Sequence, residues 1–143
     1  MTKILAVLFI VVAAFWAAVA GYWSTQREAP VAQLLNVVET PVVHAGEQVV
    51  TRHIVERRAL CHTVVERTVI DSQRTRWALA DLDFYAIGAL GRDEYKQATQ
   101  VPNGAAPGPA VLRFALAWRC NPIHAAWPIT YQVPDMHFTI VRD

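Results

Sequence analysis

The chain has 143 residues, 54% of them apolar, and a formal net charge of +1. This length leaves room for one hydrophobic helix and one compact domain of about 120 residues, and it excludes two independent globular domains. When Lys3, which precedes the apolar segment, is set aside, the 13 basic residues become 12 and balance the 12 acidic ones. Since no basic field remains to attract phosphates, we expect no nucleic-acid partner.

An uncharged apolar segment occupies residues 4–20, without a proline or a glycine. At about 1.5 Å of rise per residue, this segment and the three residues after it can cross a hydrocarbon core roughly 30 Å thick. Aromatic side chains gather toward its C-terminal end, where amphipathic rings favour the headgroup layer. We therefore predict a transmembrane helix over residues 1–23, anchored by Ile4, Leu8, Phe9, Val12, Phe15, Trp16, Tyr22 and Trp23.

The flanks of this segment set the expected topology. Lys3 and the free amine precede it, whereas Arg27 follows it beside Glu28, so a slight excess of positive charge favours a cytoplasmic N-terminus. The C-terminal domain is then periplasmic or extracellular. Residues 18–20 also fit a signal-peptide cleavage site, so a secreted, soluble binding module cleaved near Ala20 is the alternative. Both interpretations export the remainder of the chain.

Residues 24–32 form a predicted linker, because they are polar and contain Pro30. The domain is expected over residues 33–143, where β-branched residues recur at positions at which a helix would favour Leu, Ala or Glu. A turn at Ala45-Gly46-Glu47 between two apolar stretches indicates a strand, a turn and a strand. Other segments are predicted from composition: strands at 34–39, 49–57, 63–70, 74–79 and 94–101, a hairpin turn at 71–73, and a packed loop or one helical turn at 81–91.

The clearest predicted strand is 111–120, where apolar side chains on one face alternate with Arg113 and Arg119 on the other. Residues 136–141 alternate in the same way. Residues 102–110 form a connection rich in proline and glycine, and the connection after Cys120 contains ITYQV, residues 129–133, as an edge strand. About seven short strands with turns at intervals of about ten residues predict an all-β, two-sheet sandwich.

Three runs carry a family resemblance: PVVHAGEQV, NGAAPGPAVLRFALAWRC and PDMHFTIV. They resemble an immunoglobulin-like or fibronectin-type β-sandwich of the kind appended to bacterial surface and bacteriophage proteins. The resemblance covers most of residues 33–143 and implies the fold, but it implies no chemistry. The whole chain also resembles small bacteriophage-encoded proteins anchored by a single helix. The stretches at 84–90 and after Cys120 are longer than a minimal sandwich needs, which leaves the strand order open.

Cys61 and Cys120 are the two cysteines of the chain. An exported domain meets an oxidising compartment, and no third cysteine competes, so we predict a disulfide between them. In the chain-entropy account, a bridge that closes a loop of about 60 residues stabilises the fold by about 4 kcal/mol.

The same region also suggests two metal sites. A zinc set would use Cys61, His62, Cys120 and His124, but adjacent residues point to opposite faces of a strand. A cupredoxin-type copper site would use Cys120, His124 and Met136, but Met136 follows Cys120 by 16 positions, whereas such ligands are packed within about ten residues. A small exported zinc or copper protein stays an alternative, and we expect neither a metal nor another cofactor.

Catalytic patterns are weak in this sequence. Asp81 and Asp83 lack the further oxygen ligands of a calcium loop, so we interpret them as a solvated turn pair. We find no glycine-rich phosphate loop and no nucleophile elbow, and we expect a protein that is not an enzyme. His44, His53 and His137 are predicted to be ordinary histidines on strand faces.

Trp127, Pro128 and Tyr131 lie in the long connection after Cys120 and form a candidate interaction surface. Such residues also fill cores beneath loops, which is the alternative. We expect a structural or protein-interaction role. The expected partners are the lipid bilayer and a protein not specified by the sequence, in a homo-oligomer, an envelope assembly or a virion.

Overall fold

A computed structural model describes residues 2–85 and 88–142. Helix α1 spans Thr2–Thr25 and is followed by a β-rich domain that contains one four-residue helix, α2, at Ile123–Ala126. The strands are β1 Val31–Val38, β2 Val42–His44, β3 Gln48–Arg57, β4 His62–Ile70, β5 Arg76–Ala78, β6 Leu82–Phe84, β7 Gly91–Gln100, β8 Gly108–Arg119, β9 Ile129–Gln132 and β10 Met136–Val141.

The strands form two sheets. The first is antiparallel, with the order β1-β3-β7. The second has the order β2-β10-β8-β4-β5, in which β2 is parallel to β10 and the other pairs are antiparallel. β9 continues along β8 beyond β10, and β6 lies along β4 beyond β5. The expectation of a mostly β protein with two sheets and an N-terminal apolar helix is confirmed.

One core lies between the sheets and receives side chains from both. Along β8 the residues of one parity are buried, namely Ala110, Leu112, Phe114, Leu116 and Trp118. Val49 and Val101 contribute from the side of the first sheet, and Phe138 and Ile140 from β10. The alternation predicted for 111–120 builds the core as far as Trp118, because every second side chain of a strand faces the same side; the strand ends at Arg119, and Cys120, predicted on the apolar face, is exposed.

The predicted turn at residues 45–47 is present, but the two strands that it joins do not pair. β2 lies beside β10 in the second sheet, whereas β3 is the central strand of the first sheet. Gly46 has a φ of 87°, and a Cβ built there would lie 2.3 Å from Asn103 Oδ1. The positive φ favours glycine in this turn, through which the chain passes from one sheet to the other.

Several segments differ from the sequence prediction. The hairpin of β4 and β5 is confirmed, and so is the edge strand β9. Residues 82–84, expected in a loop or helical turn, pair with β4 as strand β6. Helix α2 was not predicted. Ala86 and Ile87, part of the stretch at 81–91 that the sequence left without a definite strand or helix, lie outside the described residues.

Four connections meet at the end of the β-domain that adjoins α1, which we call the helix-proximal end. They are residues 26–30, 58–61, 120–128 and the described part of 85–90. The strand registers place them together, because Val31 and Gly91 pair with Arg57 and His62 pairs with Arg119.

Candidate functional site

Helix α1 has the length and composition of a membrane-spanning segment. Within residues 3–25, an 18-residue window has a mean hydropathy of 2.7, and none of that window is buried against the described part of the chain. Of the eight predicted anchor residues, Trp23 is half-buried and the others are exposed. The apolar surface of this helix has no partner within the described protein. Such a helix is typical of a membrane-spanning segment or of a signal sequence.

Arg27 joins the end of α1 to the β-domain. Its guanidinium carbon lies 4.0 Å from the centre of the Trp127 ring. It donates hydrogen bonds to the carbonyl oxygens of Trp127 at 2.9 Å and Pro128 at 3.3 Å. The Asn121 side-chain amide donates to the carbonyl oxygen of Trp23 at 3.3 Å. A stacked and bidentate arginine fixes both position and direction, so the helix end and α2 are held as one unit.

The segment that the sequence predicted as a linker is held against the domain. Pro30 is buried, and its carbonyl oxygen accepts hydrogen bonds from the backbone N–H groups of Arg58 and Ala59. The Arg58 side chain also pairs with Glu28 at 2.9 Å. Residues 26–30 therefore leave α1 little freedom to move as a separate unit on a flexible stalk.

The helix-proximal end exposes large apolar side chains. Leu60 is 44% exposed, Tyr85 74%, Leu90 62% and Trp127 61%. At the opposite end, the described loops 45–47, 71–75 and 101–107 expose no such side chain. Elsewhere on the domain, Leu34, Leu35 and Val37 on β1 and Val42 on β2 are also exposed, so the helix-proximal end carries one of its exposed apolar surfaces.

The two cysteines meet at the same end. Their sulfur atoms are 2.08 Å apart and their Cα atoms 4.6 Å apart, a disulfide distance. Cys61 precedes β4 and Cys120 follows β8, so the pair continues the register in which His62 lies opposite Arg119. The link joins neighbouring strands of one sheet and does not connect the two sheets.

The residues weighed as metal ligands have other contacts. His62 Nε2 contacts Asp83 Oδ1, and the His62 ring stacks on Tyr85 with a centroid distance of 4.2 Å. His124 is fully buried and its Nδ1 accepts a hydrogen bond from the Cys120 N–H at 3.3 Å. With both sulfurs paired, neither zinc nor copper would find a thiolate here.

A cavity of about 400 Å³ lies between the sheets. Its apolar wall comes from β4 and β8, through Val65, Phe114, Leu116 and Trp118. The first sheet lines the opposite side with His53, Tyr95 and polar side chains. The lining continues into the helix-proximal end through Ala59, Leu60, Cys61 and Gly88.

His53 is the buried titratable group of this cavity, 3% exposed. Its Nδ1 lies 2.6 Å from Asn36 Oδ1 and its Nε2 lies 2.8 Å from Thr51 Oγ1, and its ring stacks on Tyr95 at 5.1 Å. Burial lowers the pKa of His53, because a charged imidazole loses hydration there. We predicted an ordinary histidine on a strand face, and His53 lies on the buried face of β3. The signal was its position two residues from Thr51 on the buried parity of β3.

Polar groups cluster on the same wall. Arg57 donates a hydrogen bond to Asp93 at 2.8 Å, and this bond holds the pKa of Asp93 below its usual range. Burial raises the pKa of Tyr95. Two further polar atoms, Gln33 Oε1 and Gln97 Nε2, are buried and have no hydrogen-bond partner, a costly arrangement unless a ligand or water completes it.

Comparisons with known proteins concern the fold. No family model and no curated protein matches the chain. Among solved structures it is similar to the alkylpurine DNA glycosylase AlkC of Pseudomonas fluorescens, bound to DNA containing an abasic-site analogue, with a TM-score of 0.50 and 14% identity. The likeness is one of fold alone. It covers 80% of this chain, which spans 31% of the length of the glycosylase chain.

The structure separates the residues of the predicted interaction surface. Trp127 and Pro128 lie at the helix-proximal end beside Arg27. Tyr131 lies on β9, opposite Leu116, and its ring stacks on the buried Trp118 with a centroid distance of 6.3 Å. Trp127 therefore belongs to the contact between helix and domain, and Tyr131 lies at the border of the core.

Proposed function

We propose that this is a single-pass membrane protein whose β-domain lies on the extracytoplasmic face of the bilayer and acts there as a non-enzymatic structural or protein-interaction module. One observation carries the proposal. The exposed apolar helix α1 ends in fixed contact with the domain, at the end that exposes Leu60, Tyr85, Leu90 and Trp127. A bilayer would cover the helix and accept these side chains in its headgroup layer.

The cysteine pair supports the proposal that the β-domain lies on the extracytoplasmic side of the membrane. Disulfides persist in oxidising compartments and are rare in the cytosol. A paired Cys61 and Cys120 thus favours export of the domain, and Lys3 before the helix favours a cytoplasmic N-terminus.

We propose an immunoglobulin-like sandwich for the domain. In that fold, strands A, B and E share one sheet and C, F and G the other. β1, β3 and β7 follow the first set, and β4, β8 and β10 follow the second. Two departures stand beside this support: the disulfide lies within one sheet, and β5 and β6 pair with β4 instead of extending the first sheet.

The first sheet supplies a surface for a protein partner in an envelope or virion assembly, or for a second copy of the chain. β1 is an edge strand, and Leu34, Leu35 and Val37 are exposed on it. An unpaired edge with apolar side chains favours contact with another chain. Cross-linking in membranes tests this role. The double variant Leu35→Lys, Val37→Lys is expected to lose the cross-linked product. If the cross-linked product persists in this variant, β1 is excluded as the contact.

The anchor is tested by alkaline washing of membranes that contain the full chain. We expect the protein to stay in the pellet. Phe9→Arg with Val12→Arg is expected to release it, because each central arginine opposes insertion by roughly 2.5 to 3.5 kcal/mol. Thr130→Arg with Gln132→Arg, on exposed β9 positions, is the matched control and should stay in the pellet. Release of the unaltered full-length chain would refute the anchor, and a chain beginning at Gly21 would indicate the secreted module.

A further inference from the structure

We propose that the cavity between the sheets holds a neutral, single-chain amphiphile, a monoacylglycerol or a protonated fatty acid, taken from the membrane against which the domain lies. This inference rests on the proposed membrane anchorage and adds a ligand site to it. Three features of the cavity carry it: its apolar wall, its unpaired polar atoms and its position.

The apolar wall suits an alkyl chain. Val65, Phe114, Leu116 and Trp118 line the side of the second sheet. The volume of about 400 Å³ falls within the range of roughly 300 to 1,000 Å³ that is usual for small-molecule sites. Protein interiors are otherwise close-packed. The packing of the two sheets alone would not leave a space of this size, and we therefore infer that a ligand fills it.

The unpaired polar atoms suit a small, neutral head. Gln33 Oε1 is a buried acceptor without a donor, and Gln97 Nε2 is a buried donor without an acceptor. Both residues line the cavity. The two amides lie on the edge strands β1 and β7, so the separate hydroxyl groups and ester carbonyl of a monoacylglycerol can supply a donor to one and an acceptor to the other, whereas an undissociated carboxyl reaches one amide at a time. The Arg57 charge is compensated by Asp93 at 2.8 Å, and that of Lys96, which also lines the cavity, by Glu39 at 2.7 Å. Among the described lining residues, a phosphate head therefore meets no unpaired cation.

The position of the cavity indicates that the amphiphile comes from the bilayer. Its lining runs from His53 and Phe114, midway along their strands, to Ala59, Leu60 and Gly88 in the helix-proximal end. Helix α1 leaves the domain at this end, which therefore faces the lipid. An alkyl chain that moves from bilayer to cavity along this end keeps its apolar surface away from water throughout.

Photolabelling tests the site. Full-length protein is reconstituted into phosphatidylcholine nanodiscs that contain a monoacylglycerol with a diazirine in its tail, irradiated and mapped by peptide mass. We expect label both in α1 and in the β8 peptide around residues 114–118. Leu116→Trp fills the cavity and should lower the β8 label about tenfold, a loss of roughly 1.4 kcal/mol in binding, with the α1 label unchanged. Ala117→Trp, on the other face of β8, is the matched control and should keep both labels.

Each remaining outcome decides the question. Label in α1 with none in β8 of the unaltered protein, or a β8 label that Leu116→Trp leaves intact, would overturn the lipid site while leaving the anchor in place. Absence of label from α1 would overturn the anchor itself. If the Leu116→Trp variant does not form the Cys61–Cys120 bridge, it has not folded, and Gln97→Leu takes its place in the test. Gln97→Leu removes the unpaired donor with less change in side-chain volume. A β8 label that Gln97→Leu does not reduce would likewise refute the site.

Discussion

Asp71 organises the turn between β4 and β5. Its carboxylate accepts hydrogen bonds from the backbone N–H groups of Gln73, Thr75 and Ala106 and from the Trp77 indole N–H, at 2.9 to 3.1 Å. Burial raises the pKa of Asp71, but these four bonds outweigh burial and leave the pKa below its usual value. The charged form is thus the form that the fold stabilises.

Replacement of Asp71 is expected to destabilise the domain. In Asp71→Asn the amide oxygen can still accept hydrogen bonds, but the amide nitrogen is itself a donor and would face the N–H donors that the second carboxylate oxygen accepts from. We therefore expect the free energy of unfolding to fall by about 1 to 3 kcal/mol. The Asp71 contribution is present above the unfolded pKa of about 3.9 and is lost as the pH falls through the lower folded pKa. Urea unfolding at several pH values measures this. Asp81→Asn, at an exposed position, is the control, and an equal effect of the two changes would contradict the assignment.

His53 gives the domain a second pH dependence, at higher pH. Its folded pKa lies below the unfolded value, so the unfolded chain binds more protons, and stability is expected to fall as the pH drops below about 6.5. Thermal unfolding between neutral and mildly acidic pH measures the slope. His53→Gln should flatten it, whereas His137→Gln, at an exposed position on β10, should not. A slope unchanged by His53→Gln would assign it to another group.

At the level of elements, the sequence predicted those segments whose own pattern is decisive. β8 and β10 alternate strictly because one face meets the core, and α1 is apolar on all sides, as a helix that crosses a bilayer or acts as a signal sequence is. Short elements were missed for a physical reason. β6 and α2 have three and four residues, too few for a period to appear, and β6 forms through pairing with a strand elsewhere in the chain.

The candidate site was less predictable than the fold. The disulfide could be predicted because the chain has two cysteines and an N-terminal apolar segment that we interpreted as an anchor or a signal peptide. The contact of Arg27 with Trp127 joins residues 100 positions apart, and nothing in the sequence indicates that this arginine and this tryptophan lie together. The cavity depends on how two sheets face each other, which the alternation within single strands does not specify.

The contact of Arg27 with Trp127 is expected to protect the junction between helix and domain. Trp127→Ala removes the ring beneath the guanidinium, and we expect trypsin to cleave after Arg27 several times faster, because local opening becomes easier. Trp127→Phe keeps an aromatic face for the cation and should stay close to the unaltered rate. Equal cleavage of all three proteins would mean that the ring does not restrain the junction.

For the whole molecule, the proposals combine into one arrangement. Helix α1 would cross the bilayer and end at Arg27, and the β-domain would lie directly on the membrane with Leu60 and Trp127 in the headgroup layer. Edge strand β1 would face a protein partner. A domain fixed in this way presents one defined surface to its surroundings, as an envelope or virion component requires.

This arrangement is tested most directly by the intact mass of the chain recovered from alkaline-washed membranes, after acid quenching and thiol alkylation. The account predicts a chain that retains helix α1 and carries no alkyl group, because Cys61 and Cys120 are joined outside the cytoplasm. Two alkyl groups on the chain, or a full-length chain found in the wash instead of the membranes, would contradict it.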